Sequence, residues 1–225
     1  MIPKILHYVW VGGDIPERVQ LLINHNKTHT SDYEIKVWTE QTLPKLNKFA
    51  KNAYEKKNWA FVSDYVRFVA LKQYGGIYLD TDQKLLKNID DLLSLDFFAG
   101  WNKDETYIYT GIIGCIPESD FINRILAEYD LIEFDIKQSS PKVLTRCFEE
   151  QTFDPKFKIF DSSYFYPVQA GEKDNGRIFA HTYATHLWDE SWVSFVRLRR
   201  FLRWTGFIGL YHFMAEGNNV ATSLL

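Results

Sequence analysis

The stretch SDYVRFVALKQYGGIYLDTD, residues 63–82, constrains this chain more than any other. From Ser63 to Tyr74 it is apolar nearly all round, at Val66, Phe68, Val69, Ala70 and Leu71, the pattern of a helix buried on most sides. Ser63 is the expected N-cap and Gly75 the expected C-terminal stop. IYLD, residues 77–80, then has the character of a buried strand. Gly75 and Gly76 allow another backbone or a ligand to come close. On an extended strand Asp80 and Asp82 point the same way, so two like charges share the strand end. They need a positive partner, which could be a metal ion, a basic side chain or only water.

The rest of the chain alternates strand and helix. KILHYVW (4–10) reads as a strand that stops at Gly12-Gly13, and a helix carrying Val19, Leu22 and Ile23 starts at Pro16. EIKVW (34–38), FFAGW (97–101) and TYIYTGIIGC (106–115) are further strands. Residues 42–57, 118–129 and 140–150 are expected helices, and FKIF, SYFYP and RIFAHTYA are expected to be extended. This order predicts a single α/β domain, a parallel or mixed Rossmann-like sheet flanked by helices. In such sheets ligands gather at the carboxyl ends of strands, where Trp10, Asp80 and Asp82 fall.

Composition narrows the function classes. The chain has 225 residues, 46% of them hydrophobic, which is enough for a sizeable core. A net charge of −3 argues against a nucleic-acid surface. Cys115 and Cys147 form no CxxC spacing, which speaks against a disulfide framework or zinc site and for a reducing, cytoplasmic setting. The N-terminal apolar run is too short for a secretory leader, and no stretch reaches the roughly 18 apolar residues of a membrane span.

Four groups of residues could carry chemistry. D-x-D at 80–82 offers hard oxygen ligands suited to Mg²⁺ or Mn²⁺ alongside substrate phosphates, or it is a solvated turn. Asp64 and Arg67 share a helix face, either as a plain salt bridge or as a pair that grips vicinal sugar hydroxyls. THLWDESWVS (185–194) places His186, Asp189, Ser191 and two tryptophans within eight residues; a hydroxyl and an indole N–H there could bind phosphate oxygens. Trp10, at the end of the first strand, is either core or a stacking platform for a base.

IPKILHYVWVGG, SDYVRFVALKQYGGIYLDTD and HLWDESW together resemble the DXD-containing glycosyltransferases of family 32, the Och1-like and bacterial capsular-polysaccharide group. They are also similar to the catalytic core of the glucosylating clostridial toxins. The resemblance implies a GT-A fold, Mn²⁺ or Mg²⁺, a nucleotide-diphosphate sugar donor with a leaning to uridine, and transfer with retention. It implies Trp10 stacked on the base with Val9 or Val11 in backbone contact. Asp64 and Arg67 would hold sugar hydroxyls. Asp80 would lie at the ribose and metal, with Asp82 and His186 on the metal. Ser191 and Trp192 would close over the diphosphate. The implied acceptor is a glycan or lipid-linked sugar in capsular or surface polysaccharide synthesis.

Two other readings compete. An aspartyl phosphatase would need Thr or Val at the position that Lys84 occupies. A non-catalytic sugar-nucleotide or carbohydrate-binding module would not need every acidic residue intact. Residues 1–192 are expected to form the catalytic domain. Residues 193–225, with Arg197, Arg199, Arg200 and Arg203 among large apolar residues, are expected to pack on it or to dock peripherally on anionic membrane.

Overall fold

A computed structural model describes residues 1–149, 154–169, 172 and 176–189. The strands are β1 (Ile5–Val9), β2 (Glu34–Trp38), β3 (Gly76–Leu79), β4 (Gln83–Leu85), β5 (Phe97–Trp101), β6 (Ile108–Cys115), β7 (Phe157–Phe160) and β8 (Ala184–His186). The helices are α1 (Glu17–His29), α2 (Lys48–Glu55), α3 (Trp59–Tyr74), α4 (Asp120–Leu131) and α5 (Ser140–Glu149). The main sheet is mixed, in the order β2-β1-β3-β6-β5-β7, and β4 pairs with β8 in a separate two-stranded ribbon. β1 runs parallel to β2 and β3, whereas β6 runs antiparallel to β3 and β5. This is the GT-A type of α/β fold expected from the sequence.

The sheet separates two cores. One, against α2–α5, is built on Phe49, Phe68, Ile122, Tyr129 and Leu144. The other, beneath α1, holds Val19, Ile23, Leu85, Ile89, Phe165 and Tyr166. Rings as deeply buried as Phe68 contribute about 1.5–3 kcal/mol each, so both faces hold the sheet in place. β3 is buried at every residue, which explains why IYL lacks any polar alternation.

Several expected boundaries move. α3 begins at Trp59 after Asn58, so Ser63 lies inside the helix and is not its cap. Its hydroxyl faces the Tyr78 hydroxyl at 3.0 Å instead. Trp59, Ala60, Phe61 and Val62 extend the apolar helix one turn upstream, and that continuity outweighs a local capping preference. α2 starts at Lys48, not 42, because Pro44 cannot sit in a helix interior and Asn47 caps the Ala50 N–H at 2.9 Å. SYFYP is not extended at its start: Ser162–Tyr164 is a single 3-10 turn capped by Asp161. Of RIFAHTYA, only Ala184 enters a strand.

At its C-terminus α3 stops at Gly75, whose φ of +61° is left-handed and suits glycine. The Gly75 carbonyl takes a hydrogen bond from the ring of buried His7, 2.8 Å away on β1, which fixes the helix end to the sheet. Among the described residues no helix is long and apolar enough to cross a membrane. Ser191, Trp192 and the expected C-terminal segment 193–225 lie outside the described residues.

Candidate active site

Asp80 and Asp82 do come together, but not through strand alternation. β3 ends at Leu79, and residues 80–82 turn, with the Gln83 N–H donating to the Asp80 carbonyl at 2.9 Å. The turn swings the chain out of the main sheet into β4. Opposite β4 lies β8, in a register that sets Gln83 against His186. The Leu187 N–H donates to the Asp82 carbonyl at 2.9 Å, so the two segments are also tied where the ribbon ends.

The result is a cluster of Asp80, Asp82 and His186 with one ligand atom from each, all within 4.8 Å of one another. His186 Nε2 is 3.2 Å from Asp82 Oδ1 and 3.7 Å from Asp80 Oδ2. Two carboxylates and an imidazole are oxygen and nitrogen donors that fit Mn²⁺ or Mg²⁺ while leaving room for phosphate oxygens and water. His186 Nδ1 accepts the Trp188 N–H at 3.1 Å, which leaves the neutral ring's proton on Nε2, facing the carboxylates. Trp188 sits at φ +55°, its ring tilted against that of His186 with centroids 4.3 Å apart, and donates its indole N–H to the Val168 carbonyl.

Electrostatics divide the two aspartates. Burial pushes the Asp80 carboxyl up, but the Arg67 guanidinium and the His186 ring outweigh it and bring its pKa down to about 2. Burial raises Asp82, and the Asp80 charge adds to that, while His186 opposes; the net shift is upward. Burial lowers His186, yet the facing carboxylates more than compensate and raise it. A group of this kind holds a proton where a cation would sit.

Asp64 and Arg67 meet as expected on one helix face, Arg67 Nη2 donating to Asp64 Oδ1 at 2.8 Å. Both are buried, at 8% and 4% exposure. Asp64 also accepts from the Ser140 N–H and hydroxyl, and the Ser140 hydroxyl meets Thr110 Oγ1 at 2.8 Å. Arg67 Nη1 donates to the Thr110 carbonyl at 2.7 Å and stands 3.3 Å from Asp80 Oδ1. Its guanidinium lies over the Tyr78 ring, and the Tyr78 hydroxyl donates to Asp80 Oδ1 at 2.7 Å. Burial raises the Asp64 carboxyl, opposed by Arg67 and Ser140.

Trp10 is half-buried at the carboxyl end of β1, with its indole N–H shared between the Gly13 and Asp14 carbonyls at 3.1 Å each. Val9 and Val11 on either side are buried. β1 and β3 are paired parallel neighbours, so Trp10 and Asp80 leave the sheet at the same end. Sequence reasoning missed Tyr78, Ser140, Gln83 and Trp188. Tyr78 was the one within reach, because it precedes Asp80 by two and therefore shares its strand face. Ser140 arrives from a distant helix start, which no local pattern reveals.

Residues 16–99 match the family described as "Glycosyltransferase sugar-binding region containing DXD motif". Over that span the chain is similar to the DXD-containing glycosyltransferases. The chain is 25% identical over 220 residues to an uncharacterized glycosyltransferase of Acanthamoeba polyphaga mimivirus, covering 88% of this chain and 86% of the relative. It is 27% identical over 139 residues to a mannosyl phosphorylinositol ceramide synthase of Saccharomyces cerevisiae. That alignment spans 56% of this chain and only 35% of the yeast protein. Among solved structures the chain resembles the PaToxG glycosyltransferase in fold, with a TM-score of 0.56 and 19% identity over 66% of this chain and 69% of that one.

Proposed function

We propose that this chain is a metal-dependent, retaining hexosyltransferase that takes its sugar from a nucleotide-diphosphate donor, with a UDP-sugar as first choice. The observation that carries the proposal is the convergence of Asp80, Asp82 and His186 at the sheet end that Trp10 also occupies. Asp80, Asp82 and His186 would hold Mn²⁺ or Mg²⁺. A bound divalent ion supplies positive charge where the departing diphosphate becomes negative. For His186 to ligate through Nε2, the ring proton moves to Nδ1 and the Trp188 amide turns away.

The remaining roles belong to the chain itself. Trp10 offers a ring face for the base, with the Val9 and Val11 backbone beside it. Asp64 already accepts three hydrogen bonds and a carboxylate can take roughly four, so it keeps capacity for one sugar hydroxyl. Arg67 holds Asp80 ionised. Asp64, Asp80 and Asp82 are engaged with cations or hydroxyls, so none is free as a covalent nucleophile. The acceptor hydroxyl therefore attacks the anomeric carbon from the face the phosphate leaves, and the leaving phosphate oxygen takes its proton.

The acceptor in this reading is a glycan or lipid-linked sugar of surface polysaccharide synthesis, met in the cytoplasm or at the inner membrane face. The name of the yeast relative favours a second donor reading, a mannosyl donor and an inositol-phospholipid acceptor. A screen of UDP- and GDP-hexoses for nucleoside diphosphate release, with Mn²⁺ or Mg²⁺ and then with chelator, tests both. Activity that needs metal and disappears in Asp82→Ala is expected. Full activity in Asp82→Ala, or in chelator, would overturn the metal assignment, and the anomeric configuration of the product tests retention.

A further inference from the structure

Gln83 is completely buried and stands opposite His186 in the β4–β8 ribbon. Its side-chain Nε2 donates to the Phe165 carbonyl at 3.0 Å. A carbonyl can only accept, so this bond fixes the amide: Nε2 faces Phe165 and Oε1 faces the other way. That Oε1 has no hydrogen-bond partner among the described residues. Leaving a buried acceptor unmet costs about 1–3 kcal/mol, so a donor or cation beyond the contacts of the described residues is expected to meet it.

The direction of Oε1 says what that is. The point at which a Cβ would stand on Gly111 lies 3.2 Å from Gln83 Oε1, 3.1 Å from Asp80 Oδ2 and 3.1 Å from the His186 ring. Gly111 is thus the floor on which the amide, one carboxylate and the imidazole converge. Asp80 Oδ2 and Gln83 Oε1 are both acceptors, and neighbouring acceptors are reconciled only by a proton donor or a cation between them. We propose that Gln83 is a fourth member of the metal cluster and its third oxygen, with Oε1 accepting a hydrogen bond from a water on the ion that Asp80, Asp82 and His186 would hold. This inference rests on the metal reading above. Gly111 is the positioning partner: a methyl group there would press on all three side chains at once.

The test is Mn²⁺ binding to the full chain without donor, read by the electron paramagnetic resonance signal of free Mn²⁺. Gln83→Leu and Gln83→Glu both lose the amide N–H to the Phe165 carbonyl, and only the second keeps an oxygen at the site. Gln83→Leu is expected to weaken Mn²⁺ binding by about tenfold, the lower end of what outer hydrogen-bond partners of a metal contribute. Gln83→Glu is expected to bind at least as tightly as wild type, and Gly111→Ala more weakly. Equal weakening in Gln83→Leu and Gln83→Glu, or no change in either, overturns the role of Gln83 while leaving the metal site standing. A wild-type chain that binds no Mn²⁺ overturns both.

Discussion

Two acidic groups lie side by side in this chain and share Asp80. In the first, Asp64, Arg67, Ser140 and Thr110 largely satisfy one another, with the Ser140 hydroxyl and N–H and the Arg67 guanidinium meeting both Asp64 oxygens and capacity left for one further donor. In the second, Asp80 Oδ2 and Gln83 Oε1 converge on Gly111 beside the His186 ring, and Gln83 Oε1 has no hydrogen-bond partner among the described residues. Closed networks support; open ones receive. The difference predicts that substitutions in the first group cost stability, whereas those in the second cost ligand binding.

The largest expected effect is at Arg67. Arg67→Met leaves Asp64 and Asp80 buried without their cation, and losing one partner of a buried pair costs about 3–5 kcal/mol. Urea unfolding measures it, and a loss under 1 kcal/mol would break the division between the two groups. Acid sharpens the same division. The Asp80 pKa is lowered to about 2 from an ordinary 3.8, so its contribution is present above the ordinary value and is lost as pH falls through the folded one. That shift corresponds to about 2 kcal/mol, lost between roughly pH 4 and pH 2. Asp82 is raised, so it runs the opposite way, favouring the folded state as pH falls. Asp82→Asn should therefore steepen the acid loss measured by thermal unfolding against pH.

Ser140→Ala removes a hydroxyl from a buried carboxylate and is expected to cost about 1.5–3 kcal/mol in the same urea experiment. Its Mn²⁺ affinity should change far less than that of Asp82→Ala. At neutral pH the smallest stability effect is expected at Asp82→Asn. It relieves repulsion with Asp80, so apo stability should stay within about 0.5 kcal/mol of wild type or rise. A loss as large as that of Ser140→Ala would mean that the open cluster is scaffold after all.

Much of this was legible in the sequence, for reasons that are local. The helix–glycine–strand unit around Gly75 is written in consecutive residues, and the i, i+3 spacing alone sets Asp64 beside Arg67. Asp80 and Asp82 were recognisable by type, but the alternation argument gave the wrong mechanism, because the strand ends at Leu79 and a turn brings them together. β4 was invisible, since QKL is too short and too polar to announce a strand. What makes it one is β8, and the partner of Gln83 cannot be read from either segment alone. Ser140 and Thr110 escaped for the same reason: their roles exist only across the fold.

The β4–β8 ribbon also sets an order of assembly. β1, β2 and β3 can pair within the first part of the chain, whereas Gln83 waits for a partner at residue 186. Closing so long a loop is paid for late and slows the step that depends on it. As the chain leaves the ribosome, both aspartates emerge well before the histidine that completes their set. A nascent chain can therefore pair its first strands and bury its first helices while the acidic pair still lacks its imidazole, so the cluster is completed only after most of the sheet has formed.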